Sequence, residues 1–406
     1  MGSAISIGQT GLAASSRHMD IIANNLANSN TLGFKASSSL FASMMNQGLS
    51  NMGSLATGQG VKVASVVTQF TQGSFETTGN ATDMAIDGDG FFIVKDPSIG
   101  TLYTRVGSFH VDKTNNLVDN NGYKVQGYMA EEGVLSSVPT DILLQMSKDA
   151  TPTTEISFGA NLSENAEVDD TYNVSMSVYD SKGGAHTLSI IFTKADVGEW
   201  DYAATFDGID LDLAGTITFD EKGVLVPPDE DIAIAIDDSD EDIATALNGA
   251  TIGVDNEITW AIATDTTRKI TGYTSASIVK SLSSDGYPSG DLKSLSVDSK
   301  GVISGIYSNG EVAEMAQVSL ANFADQSQLK LNGNYFAETS GSGKPTINAA
   351  GSGGLGDIQS NSLEGSNTDI SKEFINMITA QRAYQASAKI ITTSDQMLTE
   401  LMNIKR

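Results

Sequence analysis

The last 37 residues, 370–406, carry a seven-residue apolar period with no Pro or Gly in the run. Ile370, Met377, Tyr384, Ile391 and Leu398 recur at that spacing, and Phe374, Ala388 and Met402 lie between them on the same seam. An apolar heptad held over five repeats predicts a coiled-coil-forming helix. Asn367, Thr368 and Asp369 are candidate N-caps. Asp369 and Glu373 suit the positive end of the helix, and Lys405 and Arg406 the negative end. Taken alone, the segment also fits a long helix packed on its own domain. The other end of the chain decides between these readings.

Ile5, Leu12, Met19 and Leu26 repeat every seven residues, with Ile22 beside them. This predicts a second heptad helix of about 25 residues. Its small residues, Gly8, Gly11, Ala13, Ala14, Ser15 and Ser16, permit close approach of a neighbouring helix and weaken it in isolation. Asn28, Asn30 and Gly33 supply a stop. The seam of the terminal helix includes Gln381 and Asp395, polar residues better suited to setting register than to burial, and ends on Leu401 and Met402. Two marginal heptad helices, one at each end, predict that the termini pair with each other or with neighbouring copies. Both ends are near neutral, so little self-repulsion opposes stacking.

The middle reads as β structure. Residues 36–72 are polar, rich in Gly and Ser and poorly periodic, and read as a connecting segment ending in a strand-like Val61–Phe70. From Gly73 short strands follow: Met84–Ile86, Phe91–Val94, Tyr103–His110, Asn116–Val118 and Tyr123–Tyr128. One turn formula recurs, as Asp180-Ser181-Lys182-Gly183, Asp220-Glu221-Lys222-Gly223 and Asp298-Ser299-Lys300-Gly301. Asp first and Gly fourth suit a type I turn closed by a left-handed residue. Around the first turn, Tyr172, Val174, Met176 and Val178 face Leu188, Ile190 and Phe192. Around the second, Ile217 and Phe219 are expected to face Val224 and Val226. Further strands run from Ser294 through Gln317–Phe323 to Tyr335–Phe336, and the Gly-rich 341–356 reads as a loop.

Charge is concentrated. Residues 201–260 hold sixteen acids and one base, Lys222, a balance of −15 out of the net −27. Such a block reads as a solvated face, and a dense carboxylate patch suits at most weak binding of hard cations. The overall charge argues against nucleic acid and anionic membranes as partners. No apolar run reaches the roughly 18 residues of a membrane span, so membrane insertion is not expected. The first 30 residues lack the basic and apolar regions of a Sec-type signal, and Met1–Ser6 fits a myristoylation pattern too loose to carry weight. With no Cys there is no disulfide, thiolate or Cys-based zinc chemistry.

Enzymatic motifs fail. His18, His110 and His186 carry no attached carboxylate or nucleophile pattern. Gly341-Ser342-Gly343-Lys344 lacks the upstream Gly and the following Ser or Thr of a phosphate loop, since Glu338 and Pro345 stand there. Asp238, Asp240 and Asp242 have EF-hand spacing, but Ile243 and Gly249 occupy the places of the required Gly and Glu. The reading is a non-enzyme without a cofactor.

Two stretches identify a family resemblance. Ala23-Asn24-Asn25-Leu26-Ala27-Asn28-Ser29-Asn30-Thr31-Leu32-Gly33-Phe34-Lys35 resembles the N-terminal signature of bacterial flagellar rod and hook proteins. Leu363-Glu364-Gly365-Ser366-Asn367-Thr368-Asp369-Ile370, followed by Met377 and Ala380-Gln381-Arg382-Ala383-Tyr384-Gln385, resembles their C-terminal signature. Gly88–Phe92 and Tyr103–Phe109 are similar to the family's β motifs. Total length and the insert near 147–282 favour the hook members.

The resemblance implies a homopolymer, a curved hollow tube outside the cell that joins rod to filament and transmits torque. It also implies export by the flagellar type III apparatus, and rod, hook-cap and hook–filament junction proteins as partners. The implied fold is mainly β, with sandwich- or barrel-like outer domains on a coiled-coil inner domain made by the terminal helices. The expected division is 1–32 with 366–406 as the helical domain and 33–72 with 357–365 as connecting segments. An inner β domain takes 73–146 with 283–356, and an inserted acidic β domain takes 147–282. Asn24, Asn25, Asn28, Gly33 and Phe34, with the seam residues of both helices, are the expected assembly residues. A distal-rod-like subunit and a calcium-dependent acidic adhesin are the alternatives; the second leaves the paired terminal motifs unexplained.

Overall fold

The computed structural model describes residues 2–44, 59–131, 133–226, 228, 230–237, 240–265 and 267–404. The fold is mainly β, with a helix at each end: α1, Gly2–Ala27, and α3, Ile370–Ile404, which pack on each other. Two units are distinct. One comprises Met1–Leu144, Leu295–Gly305 and Ala313–Arg406; the other comprises Gln145–Ser294 and Ile306–Val312.

In the first unit, Phe91–Asp96 runs antiparallel to Gly100–Thr104, and Tyr103 pairs with Phe336. Leu320 and Ala321 of Val312–Asn322 flank Phe92 and Phe91 on the other side. Alternation in these strands turns Phe91, Ile93, Tyr103, Ala321, Phe323 and Phe336 into one aromatic-rich core, against which Phe70 packs. The chain ends are tied in by two short antiparallel ladders. Met84–Asp87 pairs with Asp357–Ser360, and Phe75–Thr77 with Ser362–Glu364.

In the second unit, Thr171–Val226 forms an antiparallel five-stranded meander. A four-stranded sheet, ordered Ile232–Ala235, Glu257–Trp260, Glu155–Asn161 and Ile278–Ser284, contains one parallel pairing, Glu155 with Thr259. The two sheets share one core, in which Phe158, Phe192, Trp200 and Trp260 are buried. Val174, Met176, Val178, Leu188, Ile190 and Phe192 line it in the expected alternation.

The three Asp turns adopt one geometry. Oδ1 of Asp180, Asp220 and Asp298 each accepts two backbone N–H bonds, from positions three and five of its turn. The fourth residue is left-handed each time: Gly183 at φ 83°, Gly223 at 72° and Gly301 at 75°. Two further turns repeat this with other letters, Asp112–Asn115 and Asp119–Gly122.

Several expectations are corrected. Residues 36–72 are more than a connection, because Ser37–Ser43 pairs antiparallel with Val61–Thr68. The Ser-rich first strand hides its β character. Tyr103–His110 is not one strand: it stops at Thr104 and resumes at Phe109. Between them Arg105 is buried, and Gly107 lies so close to Met84 that a Cβ would overlap the Met84 carbonyl. Around the second Asp turn, Phe219 pairs with Leu225 and Thr218 with Val226, so Val224 and Val226 are exposed. Residues 341–356 include a strand, Thr346–Ala349, paired with Ser319–Asn322.

The acidic run contains an unexpected helix, α2, Glu241–Leu247. Asp240 caps it by accepting from the Asp242 and Ile243 amides, while Ile243 and Leu247 are buried. A cap, not a metal loop, accounts for this part of the spacing; Asp238 lies outside the described residues. Of the described acids in 201–260, all but Asp231 are exposed. Among the described residues no cluster of three or more His, Asp or Glu is arranged to hold a metal ion, and no helix is long and apolar enough to cross a membrane.

Candidate assembly interface

The helix pair is built on small residues. In α1, Gly8, Ala14 and Ile22 are buried, and Ile5, Leu12, Met19 and Leu26 are half-buried. In α3, the heptad residues Met377, Tyr384, Ile391 and Leu398 are half-buried, and Ala380 and Ser394 are buried between them. Ala380, Ser387 and Ser394 are themselves seven apart. A Cβ on Gly8 would stand 2.7 Å from Ile391 Cγ1, and one on Gly11 2.8 Å from Ser387 Oγ. The helices therefore approach at positions where a coiled coil ordinarily places Leu, and Ile391 occupies the gap left by Gly8.

This shifts the seam. Phe374, Gln381, Asp395 and Met402, expected on it, are exposed in this chain, as is Ile370 at the helix start. Ala388 stays half-buried. The side chain of Leu401 lies outside the described residues. Asp369 caps α3, accepting from Ser371 N at 2.9 Å and Lys372 N at 3.1 Å. Ile375, Ile378, Ile390 and Met397 are also exposed, so α3 leaves a large apolar surface uncovered.

The two signatures meet below the helices. Asn25 is buried and clamps Ser37, donating to its carbonyl at 2.8 Å and accepting from its amide at 2.9 Å. Asn24 is exposed; its carbonyl accepts from the half-buried Asn28 side chain at 2.9 Å, and Asn28 in turn accepts from Thr31. Gly33, at φ 65°, donates to the Glu364 carbonyl at 2.8 Å, and a Cβ there would meet Val106 at 2.8 Å. The Phe34 carbonyl accepts from Asn367 N at 3.4 Å, and Phe34 is half-buried. Asn367 accepts from Ala36 N at 2.7 Å and donates to the carbonyls of Gln69 and Thr71.

At the centre is a buried ion group. Glu364 Oε1 accepts from Lys35 Nζ at 2.7 Å and from Gly73 N at 2.9 Å, and Oε2 faces Arg105 Nη1 at 3.5 Å. The side chains of Lys35 and Glu364 are fully buried and that of Arg105 is 1% exposed. Lys35 also donates to the Thr71 carbonyl at 2.9 Å, and Arg105 lies 5.3 Å from the centre of the Phe91 ring. Burial lowers the pKa of Lys35, Glu364 opposes that, and Arg105 adds to it. Arg105 is lowered by burial as well, against Glu364 and Asp89. Lys35, Arg105 and Glu364 stand in three of the four sequence motifs, but their mutual contact is not readable from spacing. The small residues Ala380, Ser387 and Ser394 do carry a readable seven-residue signal.

Residues 5–35 match the flagella basal body rod protein family, and 359–404 the flagellar basal body rod FlgEFG protein C-terminal family. Residues 85–175 match the flagellar hook protein FlgE/F/G D1 domain, and 145–287 the flagellar basal body protein FlaE D2 domain. The chain is 35% identical over 420 residues to the flagellar hook protein FlgE of Escherichia coli (strain K12), and 34% identical over 437 residues to that of Borreliella burgdorferi. Each alignment covers 98% of both chains. The crystal structure of Helicobacter pylori flagellar hook protein FlgE2 shares the fold, with a TM-score of 0.54 at 13% identity, over 71% of this chain and all of that one.

Proposed function

Because the chain belongs to the flagellar hook protein family, we propose that α1 and α3 are the element through which copies of this structural hook subunit stack into a tube. The seam residues Ile5, Leu12, Met19, Ile22, Leu26, Met377, Tyr384, Ile391 and Leu398 hold the pair together. Ile370, Phe374, Gln381, Leu401 and Met402 then serve contacts between copies. The single observation behind this reading is the uncovered apolar surface of α3, where Phe374 is 49%, Ile375 65% and Met402 75% exposed. Apolar residues exposed together on one helix mark an interaction surface. Neutral ends and an acidic middle fit ends that associate while the acidic strands stay solvated.

As a hook subunit the protein is part of the flagellum. Its placement outside the cell, its export by the type III apparatus and its contacts with rod, cap and junction proteins follow from the same reading. So does the division into a helical domain, the hairpin of Ser37–Ser43 and Val61–Thr68 beside it, an inner β domain and the inserted domain 147–282. The test is assembly of the purified full-length chain, viewed by negative-stain electron microscopy. Tubes are expected. A chain shortened by residues 398–406 is expected to keep its β-sheet circular dichroism and thermal transition and to form no tubes. Normal tubes from the shortened chain would contradict the assignment.

A further inference from the structure

We infer that Glu364 is a positioning residue that acts as an electrostatic latch: two buried cations from the N-terminal half, Lys35 and Arg105, can be seated only when the C-terminal strand brings this one carboxylate between them. The sequence separations are 329 residues for Lys35 and 259 for Arg105. The three groups sum to one positive charge with Glu364 ionised and to two without it. Burying a lone charge is strongly unfavourable, and two like charges in one dry site are worse. The dependence is asymmetric. Lys35 has Glu364 as its ion-pair partner, and so does Arg105. Glu364, by contrast, still keeps Arg105 and the Gly73 amide if Lys35 is neutralised.

The latch bears directly on the base of α1. Gly33, two positions before Lys35, donates through its backbone to the Glu364 carbonyl, and Asn25 clamps Ser37, two positions after it. Releasing Lys35 thus frees the segment that sets where α1 leaves the β core. Closing the latch ties the exit of α1 to the segment that leads into α3. The inference concerns coupling inside one chain, so it stands or falls independently of tube formation.

The test is amide hydrogen exchange on the monomeric full-length chain, comparing wild type with Glu364→Gln, Lys35→Met and the double variant. Breaking a buried ion group by removing its hub carries a penalty large enough to raise exchange by about 100-fold or more. In Glu364→Gln this rise is expected at Gly33 and Ala36, while core amides such as Ile93 keep wild-type protection. Lys35→Met is expected to change exchange by less than about tenfold, because it removes a cation from a site carrying an excess of one. The double variant is expected to be more protected at Gly33 and Ala36 than Glu364→Gln alone, a rescue that lost packing does not produce. If Glu364→Gln fails to fold, recovery of folding in the double variant supports the latch. Three results would each overturn it: unchanged exchange in Glu364→Gln, a double variant as open or as unfolded as that single one, or an opening spread equally over the core.

Discussion

Gly8→Ala should weaken assembly, because the two helices approach closely at Gly8. In an isolated helix Gly→Ala is stabilising by about 1 kcal/mol. Here the added Cβ would stand 2.7 Å from Ile391 Cγ1 and 3.4 Å from the Ser387 carbonyl oxygen. Carbon atoms pack at about 3.5–4.0 Å, so the helices must separate by most of an ångström or Ile391 must leave its rotamer. Overpacking of this kind costs about 1–3 kcal/mol. The net effect of Gly8→Ala is then a loss of about 0–2 kcal/mol, and the upper end raises the critical concentration for assembly by about 30-fold.

Ile391→Ala alone removes half-buried apolar atoms and also raises it. Gly8→Ala combined with Ile391→Ala removes the obstructing atoms, so the pair should be better than additive by about 1–2 kcal/mol. The assay is sedimentation of polymer from the four proteins over a range of concentrations. A Gly8→Ala chain that assembles at lower concentration than wild type, with no coupling to Ile391, would refute the close-approach argument and leave helix propensity as the governing factor.

Gly107→Ala should abolish folding of the first unit, because its Cβ would overlap the Met84 carbonyl; a cooperative thermal transition near the wild-type midpoint would show otherwise. Acid should destabilise the chain through carboxylates that accept backbone amides. Asp265 is pulled down to about 2 by the amides of Arg268 and Thr267, and Asp112 lies below its ordinary value through the amide of Asn116 and the Thr114 hydroxyl. A folded-state pKa below the unfolded one gives stability that is present above about pH 4 and lost as pH falls toward about 2. Melting midpoints at pH 5, 3 and 2 should therefore decline, and a constant midpoint would contradict this. Replacing Asp220 by Ala should loosen its turn, seen as faster exchange at Lys222 and Val224, whose amides it accepts. Unchanged exchange there would mean that the left-handed Gly223 suffices.

How much of this was legible in the sequence depended on the range of each interaction. Heptads and Asp turns are local, and the letters carry them: Gly183, Gly223 and Gly301 announce the left-handed residue their turns require. Asn115 serves the same role less visibly, since Asn does not announce a left-handed residue as Gly does. The bulky members of the heptad predict a seam with Phe374 and Met402 inward. The actual seam is narrower because Gly8, Ala380, Ser387 and Ser394 bring the helices close, and small side chains show only in their seven-residue spacing, not in hydropathy. The helix Glu241–Leu247 is only two turns long and sits in an acidic run that hides its apolar pair, Ile243 and Leu247. The Lys35–Glu364–Arg105 group joins residues hundreds of positions apart, and no periodicity encodes such a pairing.

The two terminal helices are predicted to be completed by neighbouring copies. One thin pair, braced on the Ser37–Ser43 and Val61–Thr68 hairpin through α1 and leaving the outer apolar residues of α3 uncovered, must order roughly 60 residues at about 1–2 kcal/mol of backbone entropy each. In the proposed tube, additional copies would supply the missing apolar contacts and so link folding of the ends to assembly. Amide hydrogen exchange on dilute monomer and on polymer tests this most directly. Residues 2–27 and 370–404 are predicted to exchange freely in the monomer and to be protected in the polymer. Strong protection of both segments in a verified monomer, unchanged on assembly, would mean that the helices fold without neighbouring copies.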